Sequence, residues 1–243
     1  MKYIFTFAFI ILAFVSNAQE LNKSINKDSL MTVLANGMPA DIKTEFLKQY
    51  QSGSDQAKEF LLFMASMPRS SKALQIKNID SNYANISKLK LEYSKLVPLN
   101  TAVSIEFNPA NTNFGIKESV NLRITKVENN ETKVSQEWNM EYGASKLEDM
   151  LRSINWNDAT LKIIKKLLID ANCISIENGE VFDIGFARSG LGLYSYLLFN
   201  TDLNADQIQR NNDGCNFIFY KKNIVLKYGG GAVGPQCFPD RDN

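Results

Sequence analysis

The segments CISIENGEVFDIGFARSGLGLYSYLLF (residues 173–199) and CNFIFYKKNIVLKYGGGAVGPQC (residues 215–237) carry most of the fold information in this 243-residue chain. Apolar runs of strand length alternate there with Asn-Gly, Arg-Ser-Gly and Lys-Lys-Asn, whose chemistry suits turns. The pattern predicts an antiparallel meander of about five strands. These are Ile174–Ile176, Val181–Phe186, Leu193–Phe199, Phe217–Tyr220 and Ile224–Tyr228. Asn178-Gly179 reads as a two-residue hairpin turn, and a short helical turn near Ala205 to Gln209 precedes the last hairpin.

Working back from this meander, a helix is expected from Asn157 or Asp158, with Leu161, Ile164, Leu168 and Ala171 on one face to lie across the sheet. Ser145-Lys146-Leu147-Glu148 fits a capping box at the start of another helix. Residues 103–140 alternate with the period of strands: Val103, Ile105, Phe107, then Val120, Leu122, Ile124, then Val134, Trp138, Met140. Before Asn100 the period is helical. Helices are predicted over Asp28–Asn36, from Pro39 to Ser52, after Ser54 to Pro68, and along Ile86, Leu89, Tyr93 and Leu96 to Pro98. Arg69 to Tyr83 is polar and weakly patterned, and reads as a loop. The expected fold is α+β, with a helical N-terminal region over residues 19–98 and an antiparallel sheet packed against helices over residues 99–243.

Residues 1–18 read as a secretory signal peptide: Lys2, an apolar run from Ile4 to Val15, and small side chains at Ser16 and Ala18, with cleavage after Ala18. The run is shorter than the roughly 20 residues a spanning helix needs, and no later stretch is apolar enough to span. The mature protein is therefore expected to be soluble, in the periplasm or outside the cell. Removing 18 of 243 residues leaves 225, one large or two small domains. The 27 basic and 26 acidic residues of the whole chain come into balance once Lys2 is lost, so no net field draws nucleic acid or anionic lipid.

Export also bears on Cys173, Cys215 and Cys237, since disulfides persist outside the cytoplasm. Three thiols allow one bridge. Cys215–Cys237 is favoured because the intervening hairpin doubles the chain back and Gly229-Gly230-Gly231 can return the tail. A bridge from Cys173 to either partner stays open, the alternative being that Cys173 is a small buried residue. The chain has no histidine, which removes imidazole-activated nucleophiles and the commonest transition-metal ligand. No metal site or cofactor is expected. Gly229 to Pro235 lacks the Gly-Lys-Ser/Thr ending of a phosphate-binding loop.

Two sets of residues are candidates for chemistry. Arg188 and Ser189, at a strand end, with Tyr194 and Tyr196 on the next strand and Gln236 in the tail, form a candidate ligand site. Arg grips anions bidentately and Tyr stacks and donates. The bland alternative is a hairpin turn beside ordinary sheet tyrosines. Glu137, Glu141 and Asp183 are the carboxylates that could serve glycoside hydrolysis, which needs two carboxyl groups across one cleft, or else they are solvated surface charges.

Ala171-Asn172-Cys173-Ile174-Ser175, Ile184-Gly185-Phe186, Arg188-Ser189-Gly190, Tyr228 to Ala232 and Gly234-Pro235-Gln236-Cys237 resemble the C-terminal part of uncharacterised exported proteins of Bacteroidota. The resemblance covers about a third of the chain and implies localisation, not activity. The expected function is a non-enzymatic exported binding or interaction module for a small molecule or an envelope protein. The alternatives are a carboxylate-dependent hydrolase acting on cell-envelope glycan and a structural component that self-associates through a sheet edge.

Overall fold

The computed structural model describes residues 21–128, 131–229, 234 and 236–239. The expected signal segment and Gly230 to Val233 lie outside them. The order of elements is α1 Lys27–Asn36, α2 Ala40–Ser52, α3 Asp55–Ser66, α4 Lys72–Leu96, β1 Thr101–Asn108, β2 Ser119–Glu128, β3 Glu131–Glu141, α5 Ser145–Arg152, α6 Asp158–Asp170, β4 Ser175–Glu177, β5 Phe182–Ser189, β6 Gly192–Leu198, α7 Ala205–Arg210, β7 Phe217–Lys221 and β8 Ile224–Gly229. The fold is α+β. All eight strands join one antiparallel sheet in the order β3-β2-β1-β4-β5-β6-β8-β7. The upstream strands and the C-terminal meander are thus a single surface, joined where Ile105 of β1 pairs with Ile176 of β4.

Alternation along the strands gives the sheet two unlike faces. One carries Val103, Ile105, Leu122, Ile124, Ile176, Ile184, Tyr194, Tyr196 and Leu226, and α4, α5 and α6 bury it with Ile79, Leu89, Tyr93, Leu147, Ile164 and Leu168. Helices α1 to α3 form a second apolar cluster with Leu21, Phe46, Tyr50 and Leu62, into which Phe114 reaches from the β1–β2 connection. That cluster is stitched to one end of the sheet. Asn22 N–H donates to Asn113 O, Asn111 Nδ2 to Ser66 Oγ and Gly190 N–H to Pro68 O.

Three local expectations change. The stretch read as a loop from Arg69 to Tyr83 is helical from Lys72, capped by Ser71, whose Oγ accepts from Leu74 N–H. Its first turns bury Gln75 and Asn78 in place of apolar residues, which hides the helical stripe from a reading based on hydrophobicity. Asn78 Nδ2 donates to Tyr196 Oη and to the carbonyls of Ala171 and Asn172, and its Oδ1 accepts from Asn82 and Asn172. The helix leaves regular geometry at Asn82, directly after this network.

At the second site, Ala144 occupies the cap of α5 and makes no side-chain cap bond, so Ser145 is the first helical residue and the capping box is absent. At the third, four residues separate β4 from β5, so Asn178-Gly179 is not a two-residue turn. The Asn178 amide instead donates to Thr101 O and accepts from Val103 N–H, extending the β1–β4 seam.

Cys173 is buried beneath α4, and burial pushes its thiol from an ordinary 9.0 up to about 12, with a weaker opposing effect from the Asn78 amide. Burial likewise raises Tyr50 from 10.0 to about 12 and Tyr196 upward. For groups that ionise by losing a proton, a raised folded value means that the unfolded chain ionises first as pH climbs. The stability from Cys173, present below pH 9, is therefore lost between pH 9 and 12, by up to about tenfold in the folding constant per pH unit, and that from the tyrosines is lost only above pH 10. Urea titrations between pH 7 and 11 should show this decline. Iodoacetamide at pH 8.5 should label Cys173 only in denaturant; rapid labelling of the native protein would contradict the burial.

Candidate functional site

The other face of the sheet holds a shallow trough of about 200 Å³, and every residue that lines it belongs to a strand. Its walls are three ion pairs. Arg123 Nη2 reaches both oxygens of Glu177 at 2.6 and 2.7 Å, Arg188 holds Glu106 through Nε and Nη2 at 2.6 Å each, and Lys227 Nζ meets Asp183 Oδ2. Each pair joins two strands that flank a third. The strand between carries a serine in register with a member of the pair: Ser104 beside Arg123 and Glu177, Ser175 beside Glu106, and Ser195 beside Lys227. A long side chain can cross a strand only where the residue beneath it is short.

Gly185 continues this floor between Ser175 and Ser195. A Cβ there would lie 2.0 Å from Ser175 Oγ and 3.3 Å from Leu193 Cδ1, so only glycine lets these strands keep their approach. Serine and glycine pack poorly on sheet surfaces compared with branched or aromatic residues. Their run across adjacent strands therefore costs stability and leaves a depression in return.

The end of the trough at the edge strand β3 is shaped by a bulge. Val120 pairs with Met140 and Leu122 with Glu137, which sets Trp138 and Asn139 against the single residue Asn121. Asn139 has φ 54° and donates its N–H to Asn121 Oδ1 at 2.8 Å, while Asn121 Nδ2 donates to Glu106 Oε2. The indole of Trp138 is left on the trough side, with the residue 59% exposed. The other tryptophan, Trp156, is buried, and its Nε1–H donates to Leu96 O.

The residues proposed from sequence do not converge. Arg188 is in the trough, but its guanidinium fork is occupied by Glu106 and is not free for an external anion. Tyr194 and Tyr196 are fully buried on the helix-covered face, because strand alternation puts them opposite Ser195, and the expectation that they contact ligand is corrected. Ser189 Oγ accepts from Ser70 N–H and donates to Ser70 O, anchoring the β5–β6 turn to the α3–α4 connection. Gln236 is exposed in the tail.

The carboxylates fare similarly. Glu137 points to the α5 side and pairs with Lys146, Glu141 pairs with Lys117, and Asp183 alone of the three lines the trough. Sequence reasoning missed Glu106, Arg123, Glu177 and Lys227. The signal available was the alternation of β1 and β2, where Glu106 lies between Ile105 and Phe107, and Arg123 between Leu122 and Ile124.

Cys215 and Cys237 are paired in a disulfide. Among the described residues, no group of three or more Cys, Asp or Glu is placed to hold a metal ion, and no helix is long and apolar enough to cross a membrane. Compared with known protein families, curated proteins and solved structures, the chain matches none.

Proposed function

We propose that this chain is an exported, non-enzymatic binding module whose ligand lies in the trough on the strand-only face of the sheet. The observation that carries the reading is the serine and glycine floor, spread over neighbouring strands, beside an exposed tryptophan and walled by ion pairs. A face needed only for solubility has no use for the depression. The N-terminal pattern from Lys2 to Ala18 and the Cys215–Cys237 bridge support export. Native mass spectra of the exported protein, followed by denaturing spectra, test both parts. A chain lacking 18 residues supports export with cleavage after Ala18, and a retained mass that is lost on denaturation supports binding. If Ser195→Leu, which fills the floor, leaves a captured ligand in place, the trough is not its site.

One observation favours a second reading, the carboxylate-dependent hydrolase acting on cell-envelope glycan. Glu177 and Asp183 are direct cross-strand partners on the trough face, and like charges so placed repel unless compensated. Arg123 and Lys227 supply that compensation here. Release of soluble sugar from purified envelope that Asp183→Asn abolishes would establish this reading over simple binding.

A further inference from the structure

The trough's charges identify the class of ligand, given the binding reading just stated. Three cations, Arg123, Arg188 and Lys227, are each matched by a carboxylate, so the walls carry no net charge. An anionic ligand would have to displace Glu106 from the Arg188 fork, and a cationic one would have to displace an arginine or lysine. Neither gains what it breaks, since charge-assisted bidentate pairs are the strongest hydrogen bonds available to it. A neutral ligand leaves the pairs intact and uses their remaining donors and lone pairs.

These pairs place a donor beside an acceptor at each wall. Asn121, whose Nδ2 donates to Glu106 and whose Oδ1 accepts from Asn139 N–H and Asn108 Nδ2, braces the wall at the Trp138 end. Adjacent hydroxyl groups, each both donor and acceptor, match such a surface. Trp138 supplies the apolar element: its indole lies on the trough side of an edge strand and is largely bare. The flat C–H face of a sugar ring is the neutral partner that can cover an indole while its hydroxyls point to polar walls.

Shape decides between a single small molecule and a chain. Sites that enclose small molecules are typically about 300–1,000 Å³ and bury most of the ligand. This trough is smaller and shallow, yet it runs from Trp138 on β3 to Lys227 on β8, six strand spacings or roughly 30 Å. We infer that the trough binds a neutral glycan chain laid across the strands, with one sugar ring stacked on Trp138 and hydroxyls bonded to the ion-pair walls.

The test is affinity electrophoresis of the full exported protein through gels containing neutral glucans, mannans or chitosan-free chitin oligomers, and in parallel polygalacturonate as the polyanion. It is joined to tryptophan fluorescence titration with the corresponding oligosaccharides. At least one neutral polysaccharide should retard the protein, and polygalacturonate should not. Trp138→Ala should weaken binding at least tenfold with an unchanged melting curve, and Trp138→Tyr should restore part of it. Because Trp156 is buried, ligand should protect the wild-type emission from acrylamide quenching, and Trp138→Phe should abolish that protection.

Retardation by polygalacturonate alone overturns the neutral class, while its loss in Trp138→Ala would keep the trough as the site. Neutral binding unaffected by both Trp138→Ala and Ser195→Leu overturns the trough as the site of that binding, and with it the inference. No retardation in any gel overturns the glycan, and the native mass measurement then judges the binding module separately.

Discussion

Arg188→Ala is expected to destabilise the protein by about 3–5 kcal/mol, the cost of leaving one partner of a buried ion pair uncompensated. Glu106 is the group left behind. Its residue is only 7% exposed, and both of its oxygens are held by Arg188, with Asn121 as the one additional donor among the described residues. Alanine removes two charge-assisted bonds and leaves the carboxylate facing a floor of serine hydroxyls. Replacing both residues, as Arg188→Met with Glu106→Leu, should recover most of the loss, because the pair costs desolvation on both sides. Urea unfolding of the two single variants and the double variant closes the cycle. A loss below about 1 kcal/mol in Arg188→Ala would mean that water reaches Glu106 through the trough, and that the floor is wetter than its packing implies.

The same residue shows how far sequence reaches. Arg188 is legible as a candidate contact, because an arginine at a strand end can grip an anion bidentately. Its partner lies 82 positions away on β1, and nothing local marks Glu106 except its place between Ile105 and Phe107 in an alternating strand. Strand period gave both faces of the sheet, and with it the burial of Ile105, Leu122 and Ile184. Tyr194 and Tyr196 have the alternation of a buried face and the intervening Ser195 marks the other, so side chains whose chemistry suits a ligand lie on the covered side. The helix missed before Ile86 failed for a different reason: Gln75 and Asn78 are buried to satisfy carbonyls and a phenol, so their polarity imitates a loop. The joining of β1 to β4 lies beyond local pattern altogether, since β2, β3, α5 and α6 separate them in the chain.

Removing the Cys215–Cys237 bridge is expected to cost about 3 kcal/mol, from the freedom that a loop of 22 residues regains in the unfolded chain. For a domain of this size that corresponds to roughly 6–12 °C in melting temperature. Both ends of the bridge are already organised in the native state. Asp213 Oδ1 accepts from the N–H groups of Cys215, Asn216 and Phe217, which fixes the entry into β7. On the other side, Phe238 donates its N–H to Cys215 O and buries its ring 5.8 Å from Tyr194 and 5.6 Å from Tyr228. The bridge therefore tethers a tail whose next residue completes the core at the end of β6 and β8, and the aromatic contacts should survive as a weaker, untethered docking. Melting curves of the wild type with and without reductant, of Cys215→Ser with Cys237→Ser, and of Cys173→Ser separate the possibilities. The double variant should melt at the temperature of the reduced wild type and ignore reductant, whereas Cys173→Ser should keep the full reductant response. A reductant response lost in Cys173→Ser would move the bridge to Cys173, and no response in the wild type would leave Phe238 packing as the whole anchor of the tail.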